Sequence, residues 1–217
     1  MPPETLEYVE TGATEHRHTL VWLHGLGADG HDLRPFADAL ELPSMEGVRQ
    51  VFPHAPFRRI DLLGDIPLRA WYRFDKMTFG QGENDADIRT SVDQVEALLK
   101  RERRALPADG RLILGGFSQG GLIALAAGLA GDTPVDGIVA LSTYLWTATV
   151  AARPATPVFM AHGRADPVIP IDIGRTSAER LRAQGIALEW REYAMEHTIC
   201  AAEILDISKS LHTMLTA

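Results

Sequence analysis

Residues 111–128 read Arg-Leu-Ile-Leu-Gly-Gly-Phe-Ser-Gln-Gly-Gly-Leu-Ile-Ala-Leu-Ala-Ala-Gly, a short apolar strand that runs through a Gly-x-Ser-x-Gly pentapeptide into a helix. That order predicts a sharp strand-to-helix turn at Ser118, with strand and helix so close that side chains at Gly116 and Gly120 would collide. A serine hydroxyl attacks carbonyls poorly unless it stands beside a base and beside donors for an oxyanion, and such a turn presents Ser118 for that role. The pentapeptide alone is weak, because 19 of the 217 residues are glycine and an ordinary turn produces it as readily. Its flanks carry the argument. Leu122, Ile123, Leu125, Ala126 and Leu129 make the following helix apolar almost all round until Gly131, as a buried helix is. The free N–H groups and positive dipole end of that helix face the serine, so the Gln119 N–H is an expected oxyanion donor.

The rest of the chain alternates strands and helices. Strands are expected at residues 6–10, 19–23, 48–52, 111–114, 138–141, 158–161 and 188–193, and helices at about 33–40, 85–106, 118–131, 173–183 and 201–215. Right-handed crossovers in this order give an α/β sandwich with a mostly parallel central sheet, formed by one domain spanning residues 1–217. Ligands bind such sheets beyond the carboxyl ends of the strands. A net charge of −8 with dispersed Lys and Arg leaves no footprint for nucleic acid, and the Lys100-Arg101-Glu102-Arg103-Arg104 cluster reads as the end of a helix. No apolar run reaches the roughly 20 residues of a membrane span, and residues 1–5 lack the regions of a signal peptide. A cytoplasmic protein without stable membrane anchoring is expected. The single cysteine, Cys200, excludes an internal disulfide, argues against a cysteine-based metal site and is expected to serve packing.

A nucleophilic serine in this architecture needs a carboxylate and then a histidine, each on a loop after a later strand. Asp166 follows the strand at 158–161 and His197 follows the strand at 188–193, which satisfies the order. His197 is expected to take the serine proton and return it to the leaving group, while Asp166 fixes the imidazole tautomer. In isolation Asp166 before Pro167 equally starts a turn, and Asp172 is expected to cap the next helix. His54 and His162 are assigned to strand ends, without a catalytic part. The glycine-rich run His24-Gly-Leu-Gly-Ala-Asp-Gly-His after the strand at 19–23 offers a second main-chain donor, expected at Leu26, with His24 orienting the loop. It lacks the Gly-Lys-Ser/Thr of a phosphate loop.

Six segments together, His24-Gly-Leu-Gly-Ala-Asp-Gly, Phe52-Pro-His-Ala-Pro, Ala70-Trp-Tyr, Gly115-Gly-Phe-Ser-Gln-Gly-Gly, His162-Gly-x-x-Asp-Pro-Val-Ile-Pro and Tyr193-x-Met-x-His-x-Ile-Cys, resemble the phospholipase/carboxylesterase family, whose members include acyl-protein thioesterases and bacterial carboxylesterases. The resemblance runs from about residue 19 to the C-terminus. It implies an α/β-hydrolase three-layer sandwich, no cofactor and no metal, a triad at Ser118, Asp166 and His197, and oxyanion donors at Leu26 and Gln119. Glu196 stands where the family often has Gly, and Trp71-Tyr72-Arg73-Phe74-Asp75 departs from the family's Asp soon after Trp-Tyr. Glu196 either points into solvent or lies within reach of the imidazole.

Residues 54–84 carry several Pro and Gly and no helical period, and are expected to form a lid or acyl-groove loop. Leu62, Leu63, Ile66, Leu68, Trp71, Tyr72, Met77 and Phe79 are its candidate lining residues, with Leu63, Trp71 and Tyr72 taken as substrate-binding. The expected activity is hydrolysis of esters or thioesters with a short-to-medium hydrophobic acyl chain through an acyl-enzyme at Ser118. The alternatives are an acyltransferase or peptidase using the same residues, or a binding protein on a hydrolase fold. Expected partners are a small-molecule ester or thioester or an acylated protein, with a homodimer left open.

Overall fold

Four apolar runs become the middle of one sheet because both of their faces are covered by helices. The structure, a computed structural model, describes residues 5–12, 15–42, 47–76, 78–153 and 155–217. Strands β1 (Tyr8–Gly12), β2 (His18–Leu23), β3 (Val48–Pro53), β6 (Leu112–Phe117), β7 (Gly137–Leu141), β8 (Val158–Gly163) and β9 (Leu188–Tyr193) form a seven-stranded sheet in the order β1-β3-β2-β6-β7-β8-β9. All neighbours are parallel except β1, which runs antiparallel to β3 at one edge. A separate hairpin pairs β4 (Phe57–Ile60) with β5 (Ile66–Arg69).

Alternate residues divide the core. Val21 and Leu23 of β2, with Leu112 and Leu114 of β6, face α2 (Asp85–Ala105), α3 (Gln119–Ala130) and α4 (Ile171–Ala183). Leu20, Trp22 and Ile113 face the opposite side, with α1 (Arg34–Asp38) and α5 (Ala201–Thr216). The result is the three-layer arrangement expected from the order of elements. Helix α2 begins at Asn84, whose side chain accepts the Asp87 N–H at 3.1 Å, and ends with Arg103 and Arg104 in its last turn, where cations complement the dipole.

Two expectations differ from the fold. Asp172 does not cap α4: the cap position is Pro170, and Asp172 lies exposed in the first turn, paired with Arg175 at 2.9 Å. Pro170 offers no side-chain acceptor, and its carbonyl takes the Ile173 N–H at 2.9 Å instead. The stretch at 54–84 contains the β4–β5 hairpin, closed by a turn with Gly64 and Asp65 at positive φ. No long regular alternation announces strands of four residues each.

Candidate active site

The carboxyl ends of β2, β6, β8 and β9 bring the candidate residues to one edge of the sheet. Ser118 sits between β6 and α3 with φ +55° and ψ −118°, a conformation that costs a non-glycine residue on the order of 1–3 kcal/mol. Its surroundings hold it there. The Ser118 N–H donates to the Leu141 carbonyl at 2.9 Å, and the Ser118 carbonyl accepts the Thr143 hydroxyl at 2.7 Å and the Gly121 N–H at 3.0 Å. A Cβ at Gly116 would collide with the Gly120 carbonyl, and one at Gly120 with the Leu23 carbonyl, so both glycines are dictated by close approach.

Asp166 and His197 come from different loops and meet. His197 Nδ1 lies 2.7 Å from Asp166 Oδ2, while Asp166 Oδ1 accepts the N–H groups of Val168 and Ile169 at 2.8 and 2.9 Å. The Asp166 carboxylate is wholly buried. An ionised carboxylate only accepts, so Nδ1 donates and Nε2 is left as a proton acceptor. Phe117 packs on the imidazole with ring centroids 4.8 Å apart. Ser118 and His197 line the same cavity, of about 550 Å³, together with Leu26 and Gln119. Glu196 is exposed, and its backbone rather than its side chain packs on Gly163.

The glycine-rich loop is pinned by His24. That ring is wholly buried, its Nδ1 donates to the Gly25 carbonyl at 2.7 Å, and its Nε2 accepts the Ala55 N–H at 3.0 Å. Burial pushes the imidazole down to about 4, so it is neutral at neutral pH, as this pair of bonds requires. The Gly25 carbonyl also accepts the Ala28 N–H, which closes a turn over Leu26 and Gly27. Gly27 takes φ +76° at the position of that turn where glycine is favoured.

The three candidate substrate residues occupy three different settings. Tyr72 lines the cavity, its hydroxyl 3.3 Å from that of Tyr144, which donates to Glu83 at 2.5 Å. Burial pushes both phenols far up, so both stay neutral. Trp71 is wholly buried but does not line the cavity: its Nε1 donates to the His24 carbonyl at 2.8 Å, bracing the glycine-rich loop. Leu63 lies in a single 3-10 turn between β4 and β5, is 47% exposed, and stands outside the cavity. Phe79 lines it, Leu62 and Ile66 are exposed beside Leu63, and Met77 lies outside the described residues.

Sequence reasoning missed much of the wall. Phe36 from α1 and Leu33 just before it, Phe74, Tyr144, Val168 and Ile199 also line the cavity. Gln119 has a second part: its side-chain oxygen accepts the Trp71 N–H at 3.0 Å and its amide donates to the Tyr72 carbonyl at 2.7 Å. Cys200 is the N-cap residue of α5, only three positions after His197. In the first turn of α5, Glu203 is wholly buried, and neither oxygen has a hydrogen-bond partner of good geometry among the described residues. Burial pushes its carboxyl up to about 8, with weak compensation from the Cys200 N–H.

Known proteins share both the pattern and the shape. The family described as phospholipase/carboxylesterase matches residues 4–215. An acyl-protein thioesterase 1 from Mycosarcoma maydis is 35% identical, with 92% of each chain covered. One of the same name from Gibberella zeae is 30% identical, over 94% of this chain and 93% of its own. The crystal structure of Zea mays acyl-protein thioesterase 2 superposes with a TM-score of 0.82 at 27% identity, covering 96% of this chain and 99% of its own. Among the described residues no helix is long and apolar enough to cross a membrane.

Proposed function

Because the chain belongs to the phospholipase/carboxylesterase family and is a serine hydrolase of carboxylic ester or thioester bonds, we propose that Ser118, His197 and Asp166 are its catalytic residues. The observation that carries this reading is the 2.7 Å contact from His197 to a buried Asp166, made beside a strained Ser118 on one cavity. His197 Nε2 takes the Ser118 hydroxyl proton as Oγ attacks the acyl carbon. The carbonyl oxygen becomes an oxyanion, met by the main-chain N–H groups of Leu26 and Gln119, the latter opening α3. Collapse expels the alcohol or thiol, which takes the proton from His197, and leaves an acyl-Ser118 ester. Water activated by the same imidazole then attacks that ester and releases the acid.

The acyl part lies against the aromatic wall of Tyr72, Phe74, Phe79 and Tyr144. A cavity of about 550 Å³ has the size of a small-molecule site and favours an apolar chain of short-to-medium length. The names of its relatives support an acylated protein as one natural donor and small esters or thioesters as others.

Ser118→Ala tests the reading. Turnover of nitrophenyl esters should fall about a thousandfold or more while the fold is kept, and covalent labelling by a fluorophosphonate should vanish. Across a wild-type panel from acetyl to palmitoyl, in ester and thioester series, kcat/KM should climb by up to about fourfold per methylene until the wall is filled, the limit set by about 0.8 kcal/mol per methylene. A folded Ser118→Ala protein with wild-type turnover refutes the proposed nucleophile, and a rate flat in chain length refutes the acyl wall.

A further inference from the structure

Asp166 meets a second histidine. His162, on β8 and four positions before Asp166, holds Nε2 at 2.8 Å from the Ile169 carbonyl oxygen and 3.3 Å from Asp166 Oδ2. Both neighbours are acceptors, so Nε2 carries a proton, which it donates to the Ile169 carbonyl, while Asp166 Oδ2 lies beside it in an electrostatic contact. The ring is wholly buried, and burial holds its pKa below the ordinary histidine range. Nδ1 has no hydrogen-bond partner among the described residues, so a proton there would be a buried, uncompensated charge. Gly174 of α4 closes that side: a Cβ would stand 2.7 Å from Nδ1 and 3.0 Å from the Trp190 ring. One neutral tautomer in one place is what this packing allows.

We propose that His162 is a positioning residue for the Asp166–His197 pair, its Nε2–H holding the Ile169 carbonyl and with it the N–H that Ile169 presents to the Asp166 carboxylate. The proposal rests on the catalytic reading above. Two N–H groups already hold Oδ1. They set the plane of the carboxylate, and so the position of Oδ2, for as long as the turn at 166–169 that carries them is itself held. Ile169 completes the lock, because its N–H donates to Asp166 Oδ1 while its carbonyl accepts from His162. His162 does not itself line the cavity and meets its wall only through the Ile169 backbone, so its effect belongs to the chemical steps and not to substrate binding.

The test compares His162→Gln, His162→Asn and Gly174→Ala with Ser118→Ala, reading kcat and KM on one ester, the rate of fluorophosphonate labelling, and the unfolding midpoint. Gln places an amide N–H near the position of Nε2, whereas Asn reaches only the position of Nδ1. The Nε2–H makes one neutral hydrogen bond, to the Ile169 carbonyl, and faces Asp166 only electrostatically, so the loss is that of a single bond. His162→Asn should lower kcat and labelling about tenfold with KM unchanged, and His162→Gln should recover the rate to within about threefold of wild type. Gly174→Ala, which crowds the ring from the far side, should lower kcat in the same manner.

A folded His162→Asn protein at the wild-type kcat overturns the proposal, as do equal losses in the Gln and Asn variants. If the Asn variant does not fold, Gly174→Ala decides, and wild-type kcat there overturns the proposal. Activity surviving Ser118→Ala would remove the catalytic reading itself. An inactive Ser118→Ala protein beside a fully active His162→Asn protein removes only the role of His162.

Discussion

Replacing Glu203 by Gln should change how the stability of this protein depends on pH. Glu203 is wholly buried without a good partner, and its carboxyl is pushed up to about 8 from an ordinary 4.5, so the folded state keeps a proton that the unfolded chain gives up. For a group raised in this way, the stabilisation is present below the unfolded value and is lost as pH rises towards the folded one. At 1.36 kcal/mol per unit, wild-type stability should lose roughly 3 kcal/mol between pH 5 and pH 8 through this residue alone. Gln matches the shape of the neutral acid and does not titrate. It adds an N–H that needs a partner, which shifts the variant by a constant at every pH, so the diagnostic is the slope rather than the offset. Urea unfolding followed by the fluorescence of the four tryptophans, at intervals from pH 5 to pH 8, supplies both curves. The difference between variant and wild type should grow in the variant's favour by about 3 kcal/mol across that window. Parallel curves would refute the reasoning, for they would mean that Glu203 ionises as freely in the folded protein as in the unfolded chain.

His24 works in the opposite sense at lower pH: its ring is held down to about 4 from 6.5, so the unfolded chain takes up a proton that the folded one refuses. Stability should therefore fall by up to about 3 kcal/mol as pH drops from 6.5 to 4, and urea titrations of His24→Gln should show a flatter dependence there. Trp71→Phe removes the bond to the His24 carbonyl and should cost about 1–3 kcal/mol in stability, lowering kcat/KM equally for acetyl and longer esters. A flattened chain-length preference with acetyl turnover spared would instead put the indole in the acyl site.

The residues that could be read in advance share one property: each is fixed by local sequence acting on the backbone. Gly116 and Gly120 report a strand and a helix in contact, and Asp166 and His197 each follow a strand closely, so linear order was enough to bring them to one edge of the sheet. His162 was legible only as a strand end. Its part depends on which way one ring nitrogen points across the turn at 166–169, although the four-residue spacing to Asp166 was there to be noticed. Apolarity misled in the 54–84 segment, since it does not say which surface a side chain meets. Leu63 faces outward from its turn, Trp71 faces the glycine-rich loop, and Tyr72 faces the cavity. Tyr144 lies in a loop with no motif of its own, and only the tertiary pairing of its hydroxyl with Tyr72 and Glu83 reveals it.

On the proposed mechanism, Gln119 couples binding to reaction. Its main chain opens the helix behind Ser118, while its side chain is bolted to the backbone of Trp71 and Tyr72, the segment against which an acyl chain would rest. An oversized chain pressing on Tyr72 would therefore push through two hydrogen bonds on the residue whose N–H is proposed to meet the oxyanion. On the proposed mechanism such a substrate would still be admitted but would react slowly. Discrimination among acyl chains is then felt in kcat, at the transition state, and a mild swelling of the wall is enough to detune the helix terminus.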